Sequence, residues 1–222
     1  MSHIRPRPLP HDCRRKSTMR RIATLSLAFL ASVALTGTAL PTANAATPNF
    51  RVGIQFADGG GNYGVGVERL TGPASFGGGG TPWAGDSDNY DPDGALVDLA
   101  LTPSGVLAGK DFRIGAQARE SYGADGPVLY TGWASEGGGV TDLVTDSDGY
   151  DPDQYRVFLE VRPWSAPYEL TDFRLSIEVV DQGSSGSPAF TRWASQGGGK
   201  SAFALDPDGY DFDGVKIGLE VY

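Results

Sequence analysis

The chain has 222 residues, a formal net charge of −9 and 32 glycines, and it is poor in histidine and cysteine. Its two histidines and its single cysteine all lie near the start, at His3, His11 and Cys13. A chain that loses this segment has no imidazole and no thiol. That loss excludes Ser-His-Asp and Cys-His catalysis, zinc sites of the His/Cys type, and disulfides.

The first segment has the pattern of a secretory signal peptide. Arg20 and Arg21 precede a charge-free apolar run over residues 22–40, and Ala43-Asn44-Ala45 has the small residues that signal peptidase recognises. We therefore expect cleavage after Ala45 and secretion, with residues 1–45 removed. No basic stop-transfer flank follows the run, so a membrane span in the mature chain is not expected.

Removal of residues 1–45 makes the chain strongly acidic. Seven of the 18 basic residues but only one of the 27 acidic residues precede Ala46, so the predicted mature chain carries a net charge of −15. Such a surface repels phosphate backbones and anionic membranes. Nucleic-acid binding is therefore not expected. The Arg-, Gly- and Ala-rich composition is typical of a high-GC bacterium.

The predicted mature chain, residues 46–222, forms a single domain of three repeats. Segments that begin at Thr71, Thr131 and Thr191 align without a gap at a spacing of 60 residues. The upstream strands also match, beginning with a Phe-Arg pair in every repeat. One such unit cannot bury its apolar face alone, so the units are expected to pack together. The repeats span about 50–101, 112–161 and 173–222.

Each repeat of roughly 60 residues predicts about four strands, and the fold class is all-β. The first and last strands alternate apolar and polar residues, as in Val52, Ile54 and Phe56. A short third strand is expected after a triple glycine, near Trp83 in the first repeat. Twelve strands in three units favour a three-fold β-prism. A β-trefoil is the second choice, because 60 residues is long for a trefoil unit, and a sandwich is the third.

An acidic loop in each repeat carries aspartates at relative positions 1, 3, 6 and 8. Four like charges in eight residues repel one another, and calcium, which prefers oxygen ligands, would relieve that repulsion. The spacing is not that of an EF-hand. The alternative is that the aspartates form solvated turns through side-chain to backbone hydrogen bonds. The candidate metal ligands are Asp86, Asp88, Asp91, Asp93, Asp146, Asp148, Asp151, Asp153, Asp206, Asp208, Asp211 and Asp213.

Aromatic residues mark a second candidate site, because sugars stack their C–H faces on aromatic rings while nearby polar groups contact the hydroxyls. Three tyrosines lie inside the acidic loops, and two tryptophans precede triple glycines. The alternative is that these rings fill the core. The first repeat has Pro73 at the tryptophan position, so a site of this kind is not expected there. The candidate ligand-binding residues are Tyr90, Tyr150, Tyr210, Trp133 and Trp193.

The glycine triplets are not phosphate-binding loops, because neither a Lys-Ser/Thr pair nor a helix pattern follows them. They are typical of hairpin turns that need a positive φ or a close approach between two backbones. Their positions are 77–79, 137–139 and 197–199.

The order of tryptophan, small polar residues, glycine and a strand ending in Val/Ile-x-Leu resembles the clostridial hydrophobic repeat with its conserved tryptophan. The matching residues are Gly132-Trp133-Ala134-Ser135 with Val157 and Leu159, and Trp193-Ala194-Ser195 with Ile217 and Leu219. The acidic loop has no counterpart in that family. The resemblance implies a secreted module that binds ligands or proteins, and it transfers no site.

Two classes of function remain. The favoured one is a secreted, non-enzymatic, lectin-like module that binds an extracellular glycan with calcium through the acidic-aromatic loops, at up to three equivalent sites. The alternative is an adaptor or structural subunit of a secreted assembly that binds a protein partner. An enzyme is not expected, because a hydrolase needs one asymmetric acid/base pair, whereas this aspartate set recurs in every repeat.

Overall fold

The structure, a computed structural model, describes residues 47–58, 64–86, 92–120, 124–147, 152–164, 170, 172–205 and 212–222. These residues belong to one compact unit. Within these ranges the chain forms fourteen strands in three sheets and three single-turn 3₁₀ helices, so the prediction of an all-β fold is confirmed. Among the helices described, none is long and apolar enough to cross a membrane.

An antiparallel pair of long strands forms the body of each sheet. The first and last predicted strands of every repeat pair in this way, because their alternating apolar residues all have to face the same core. The pairs are β1 (Pro48–Ala57) with β4 (Gly94–Val106), β5 (Lys110–Arg119) with β8 (Gln154–Pro163), and β9 (Phe173–Asp181) with β14 (Gly214–Val221).

Short strands complete each sheet on its two sides. On one side a two-residue strand pairs with the first long strand of its own repeat, and the third repeat adds one more short strand there. These strands are β2 (Arg69–Leu70), β6 (Leu129–Tyr130), β11 (Ala189–Phe190) and the additional β10 (Ser184–Ser185).

On the other side, each triple glycine supplies a strand to the sheet of the next repeat. β3 pairs with β8, β7 pairs with β14, and β12 returns from the third repeat to β4 of the first, where β13 also pairs. The sequence placed a third strand after the glycines, whereas the structure begins it on the glycines themselves. These strands are β3 (Gly78–Gly80), β7 (Gly138–Val140), β12 (Gly199–Lys200) and β13 (Ala204–Leu205).

Glycine is required at the crossing because two backbones nearly touch there. Gly138 has φ +68°, and a Cβ on it would lie 2.2 Å from the carbonyl oxygen of Leu219. Gly78 and Gly198 approach the last strand of the next repeat with the same geometry. The prediction of positive φ and close backbone approach is therefore confirmed, and the contact joins neighbouring repeats rather than closing a local hairpin.

The core lies between the three sheets and is filled by the inward residues of the long strands. At one end three phenylalanines meet, one from the first strand of each repeat. The ring centroids of Phe50 and Phe112 and of Phe50 and Phe173 are 4.8 Å apart, and those of Phe112 and Phe173 are 4.9 Å apart. Edge-on and tilted pairs at this distance are the favourable arrangement for aromatic rings.

The other end of the core is filled by three large rings at non-equivalent positions of the repeat. Phe56 stacks on Tyr155 at 4.9 Å, and Phe212 lies 5.8 Å from Tyr155. Tyr155 takes the place of Ala95 in the first repeat and Val215 in the third. Each repeat thus contributes one large side chain from a different position, which keeps the interior filled while the sequences diverge.

Candidate functional site

The described ranges hold five of the twelve predicted metal ligands: Asp86, Asp93, Asp146, Asp153 and Asp213. No group of three or more His, Cys, Asp or Glu residues in the described part of the chain could hold a metal ion. Calcium binding therefore stays a prediction. The loop residues that lie outside the described ranges are Asp88, Asp91, Asp148, Asp151, Asp206, Asp208 and Asp211, together with Tyr90, Tyr150 and Tyr210.

Among the described loop aspartates, two are buried and one accepts a hydrogen bond from a backbone N–H. Asp86 and Asp146, at the first position of their loops, are each only 4% exposed. Gly66 packs against the backbone of Asp86, since a Cβ on Gly66 would lie 2.9 Å from the Asp86 Cα. Asp213 accepts a hydrogen bond of 2.8 Å from the backbone N–H of Gln182 through Oδ2. Gln182 is 31 residues away in the sequence, so this bond joins two segments and is not the local bond that the turn alternative predicts.

Trp133 is half-buried, and arginine covers its ring. The guanidinium carbon of Arg162 lies 3.8 Å from the ring centroid and that of Arg113 lies 4.7 Å from it. Arg162 is held in place by the fully buried Asp111, at 2.8 Å, and by Glu136, at 3.0 Å. Two guanidinium groups, each paired with a carboxylate, therefore lie over this ring.

Trp193 has a more open environment. Arg174 lies over its ring at 4.7 Å and over the Phe190 ring at 4.2 Å. The position of Arg162 in the second repeat is taken here by Tyr222, which meets Trp193 edge-on at 6.3 Å and is 84% exposed. One anchored guanidinium is therefore replaced by an exposed aromatic ring.

A groove of about 480 Å³ lies on the outer face of the third sheet beside Trp193. Its apolar lining includes Trp193, Phe190 and Val140. Its polar lining includes Ser176, Glu178, Lys216 and Glu220. Trp193 precedes a 3₁₀ turn, and the other residues lie on β7, β9, β11 and β14, which come from two repeats. An aromatic wall with hydroxyl, carboxylate and ammonium groups nearby can hold a small ligand that has both apolar and hydrogen-bonding faces.

The charged groups of the groove are paired across neighbouring strands. Lys216 Nζ lies 3.3 Å from Glu178 Oε1, and Arg174 Nη2 lies 2.7 Å from Glu220 Oε2. Each pair keeps free hydrogen-bonding capacity, because an ammonium has three donors and a carboxylate accepts several bonds. The groove thus offers many hydrogen bonds with little net charge.

Sequence analysis identified Trp193 but missed the rest of the groove. Phe190, Ser176 and Lys216 lie on different strands, and only the pairing brings them together. A signal was present in Gly218, which stands where the other repeats have Asp98 and Phe158. Glycine at this outward position removes the side-chain volume that Asp98 and Phe158 add in the other repeats.

The outer face of the first sheet carries a polar cluster in the corresponding place. Asp98 is 8% exposed and lies beside Glu68, which in turn is 3.1 Å from Lys200 Nζ. Burial raises the pKa of Asp98 from its ordinary 3.8 to about 6, and a hydrogen bond and the negative charge of Glu68 add to the rise, while Lys200 opposes it.

The resemblance to the clostridial hydrophobic repeat stays a prediction, and in the structure its Trp-Ala-Ser segment forms a 3₁₀ turn. The Ser135 and Ser195 backbone N–H groups of two such turns donate to Asp111 and Asp172, both at 2.9 Å. Comparison of the chain with protein-family models, with curated proteins and with solved structures found no match.

Proposed function

We propose that the chain is a secreted, non-enzymatic, lectin-like module that binds a carbohydrate in the groove of the third sheet. The observation that carries the proposal is the groove itself, in which Trp193 and Phe190 line one side and polar groups line the other. Its volume of about 480 Å³ lies within the range of small-ligand sites, which is roughly 300–1,000 Å³.

The chemistry of the lining suits a sugar ring. The exposed part of Phe190, Val140 at the opposite rim and the edge of Trp193 offer apolar surface to C–H faces. Glu178 and Lys216 offer an acceptor and donors that can bridge neighbouring hydroxyls. A ligand that combines both faces satisfies the groove better than a purely apolar one.

We also propose that the three sheets are arranged about an approximate three-fold axis, as in a β-prism. Three features support this arrangement: the ungapped sequence spacing, the separate sheets, and the cyclic transfer of the glycine strands β3, β7 and β12. Separate sheets favour the prism over the trefoil.

Calcium dependence remains part of the proposal, with the acidic loops as the site. Support comes from the regular spacing of the twelve aspartates and from the charge of −15 on the predicted mature chain. The loops would then stabilise the fold, while the groove contacts the glycan.

A glycan array read with calcium and with EDTA tests the binding function. We expect the wild-type mature chain to bind at least one glycan, and Trp193→Ala with Phe190→Ala to lose that binding. Phe76→Ala is the matched control, since Phe76 is 87% exposed and is absent from the groove lining. If wild type binds no glycan on the array, the lectin function is wrong, and a pull-down from culture supernatant would test the adaptor alternative.

A further inference from the structure

One row of four residues crosses the outer face of every sheet at the same register. The row runs from the short strand of the repeat, across the long pair, to the glycine strand from the preceding repeat. It comprises Leu70, Gly53, Asp98 and Lys200 in the first sheet; Tyr130, Gly115, Phe158 and Gly80 in the second; and Phe190, Ser176, Gly218 and Val140 in the third.

In the first two sheets a side chain occupies the third place of the row. Phe158 lies over Gly80, where a Cβ would meet the phenyl ring at 2.8 Å, and its ring centroid is 6.4 Å from that of Tyr130. In the first sheet the same place holds the buried Asp98, flanked by Lys200. The rows of these two sheets are therefore filled by the protein itself.

In the third sheet the same place holds a glycine, and the Ser176 hydroxyl lies over it. Gly218 stands between Ser176 and Val140, and a Cβ on it would lie 2.1 Å from Ser176 Oγ. Two small residues in the middle of the row leave the space between Phe190 and Val140 that forms the groove. Gly218 therefore adds no side chain to this face, whereas Asp98 and Phe158 add one at the same place in the other two sheets.

Charge narrows the class of ligand. The ion pairs Lys216–Glu178 and Arg174–Glu220 leave the described lining of the groove close to neutral. The predicted mature chain carries −15, so its long-range field repels anionic glycans such as uronates and sialosides. Binding of a neutral sugar does not require the ion pairs to separate, and the acidic surface does not repel it.

We propose that each chain has one binding groove, beside Gly218, and that it takes a neutral pyranose unit rather than a charged one. This inference rests on the proposed carbohydrate-binding function and deepens it, because it replaces up to three equivalent sites with one. The three repeats then serve the fold, and the divergence of the third serves binding.

Isothermal titration of the mature chain with neutral, anionic and cationic oligosaccharides tests the inference. The probes are cellotetraose, maltotetraose, mannotetraose, sialyllactose and chitosan tetramer. We expect a neutral oligosaccharide to bind with a stoichiometry near one. The groove-filling variant is Ser176→Gly with Gly218→Phe, which imports the natural pair Gly115 and Phe158 of the second repeat. It should lower the affinity at least tenfold.

Phe190, at the rim of the groove, is 36% exposed, and Phe190→Ala should also lower the affinity about tenfold. If the groove-filling variant fails to fold, the affinity of Phe190→Ala tests the single groove. Phe76→Ala should leave the affinity unchanged. A stoichiometry of three, or full affinity in the filled variant or in Phe190→Ala, overturns the single groove but leaves the lectin function standing. Preference for a charged probe overturns the ligand class. If wild type binds none of the probes and no glycan on the array, both proposals fall.

Discussion

Among the acidic side chains of the described residues, Asp98 has the most strongly shifted pKa, and its protonation affects the stability of the fold. Its pKa of about 6 lies above the ordinary 3.8, so the folded chain holds this proton more tightly than the unfolded chain does. The stabilisation is full below about pH 3.8 and is lost as the pH rises to about 6, because the anion is then buried beside Glu68. Two pK units correspond to on the order of 3 kcal/mol.

The first prediction concerns Asp98→Asn, which mimics the protonated acid. At pH 7.5 the variant should have a free energy of unfolding up to about 3 kcal/mol above that of wild type, because it removes a buried anion. At pH 4 the two proteins should be nearly equal. Urea denaturation at half-unit steps from pH 4 to 8 measures the difference, and a difference that does not change with pH contradicts this account of Asp98.

The second prediction concerns Asp111, whose side chain is fully buried. It accepts hydrogen bonds from the N–H groups of Phe112 and Ser135 and pairs with Arg162. Asp111→Asn should cost about 2 kcal/mol, less than the usual cost of breaking a fully buried pair, because Arg162 is one-third exposed. Chemical denaturation measures the loss.

The matched control is Asp172→Asn in the third repeat. Asp172 accepts the same bonds from Phe173 and Ser195, but within the described residues it makes no ion pair. Its substitution should therefore cost less than about 1 kcal/mol. Equal losses at the two positions would show that the arginine pair contributes nothing to stability.

The triple-glycine strands are the elements that join one repeat to the next. Their contact with the last strand of the following repeat depends on a backbone approach that a side chain would block. The first glycine of each triplet has no such close contact with another strand. Gly137 caps the 3₁₀ turn with φ +95°, and a Cβ on it would meet nothing within 4 Å.

The third prediction compares two alanine substitutions in one triplet. Gly137→Ala should cost about 1–2 kcal/mol, from the left-handed backbone alone. Gly138→Ala should cost about 3 kcal/mol or more, because the added Cβ also pushes β7 away from β14. Thermal denaturation should rank the two variants in that order. Similar melting temperatures would mean that the strand transfer does not stabilise the fold.

The long strands could be predicted from the sequence, but the pairing of the glycine strands with the next repeat could not. Alternation at Val52, Ile54 and Phe56 marks one buried face, and that signal lies within a few consecutive residues. The pairing of β3 with β8 depends on a backbone contact between residues about 80 positions apart in the chain. A glycine triplet indicates that two backbones approach closely, but it does not indicate which strand is the partner. The partner is therefore visible only in three dimensions.

The candidate site was predictable to a lesser extent. Trp193 was identified as an aromatic residue that precedes glycines, but Trp133 carries the same signal and lies under two arginines. What distinguishes them is the replacement of Arg162 by Tyr222 and the absence of a side chain at Gly218. Both are differences between repeats, whereas the sequence prediction relied on what the repeats share.

At the scale of the whole molecule, a bound cation would reduce the electrostatic self-repulsion of the folded chain. The predicted mature chain has a net charge of −15 and no cysteine, so self-repulsion acts on a fold that no disulfide supports. An ion bound only by the folded chain adds RT ln(1 + [L]/Kd), about 2.7 kcal/mol at 100 times Kd.

The fourth prediction is that calcium raises the melting temperature. For sites of roughly 0.1 mM affinity, 10 mM calcium should raise it by several degrees, and magnesium should raise it less because it gives up its waters reluctantly. Asp151→Asn with Asp153→Asn should remove one repeat's share. Scanning fluorimetry with calcium, with EDTA, and with sodium chloride at matched ionic strength measures this. If sodium chloride reproduces the shift, the loops are solvated turns.

Glycan binding beside Trp193 is the central claim, and the four tryptophans of the chain, Trp83, Trp133, Trp164 and Trp193, allow it to be tested directly. Their indole N–H signals can be assigned in a ¹⁵N–¹H correlation spectrum with single Trp→Phe variants. On titration with the neutral oligosaccharide that binds best, the Trp193 signal should shift and saturate while the Trp83 and Trp133 signals stay in place. A saturating shift at Trp133 with Trp193 unmoved would contradict the account.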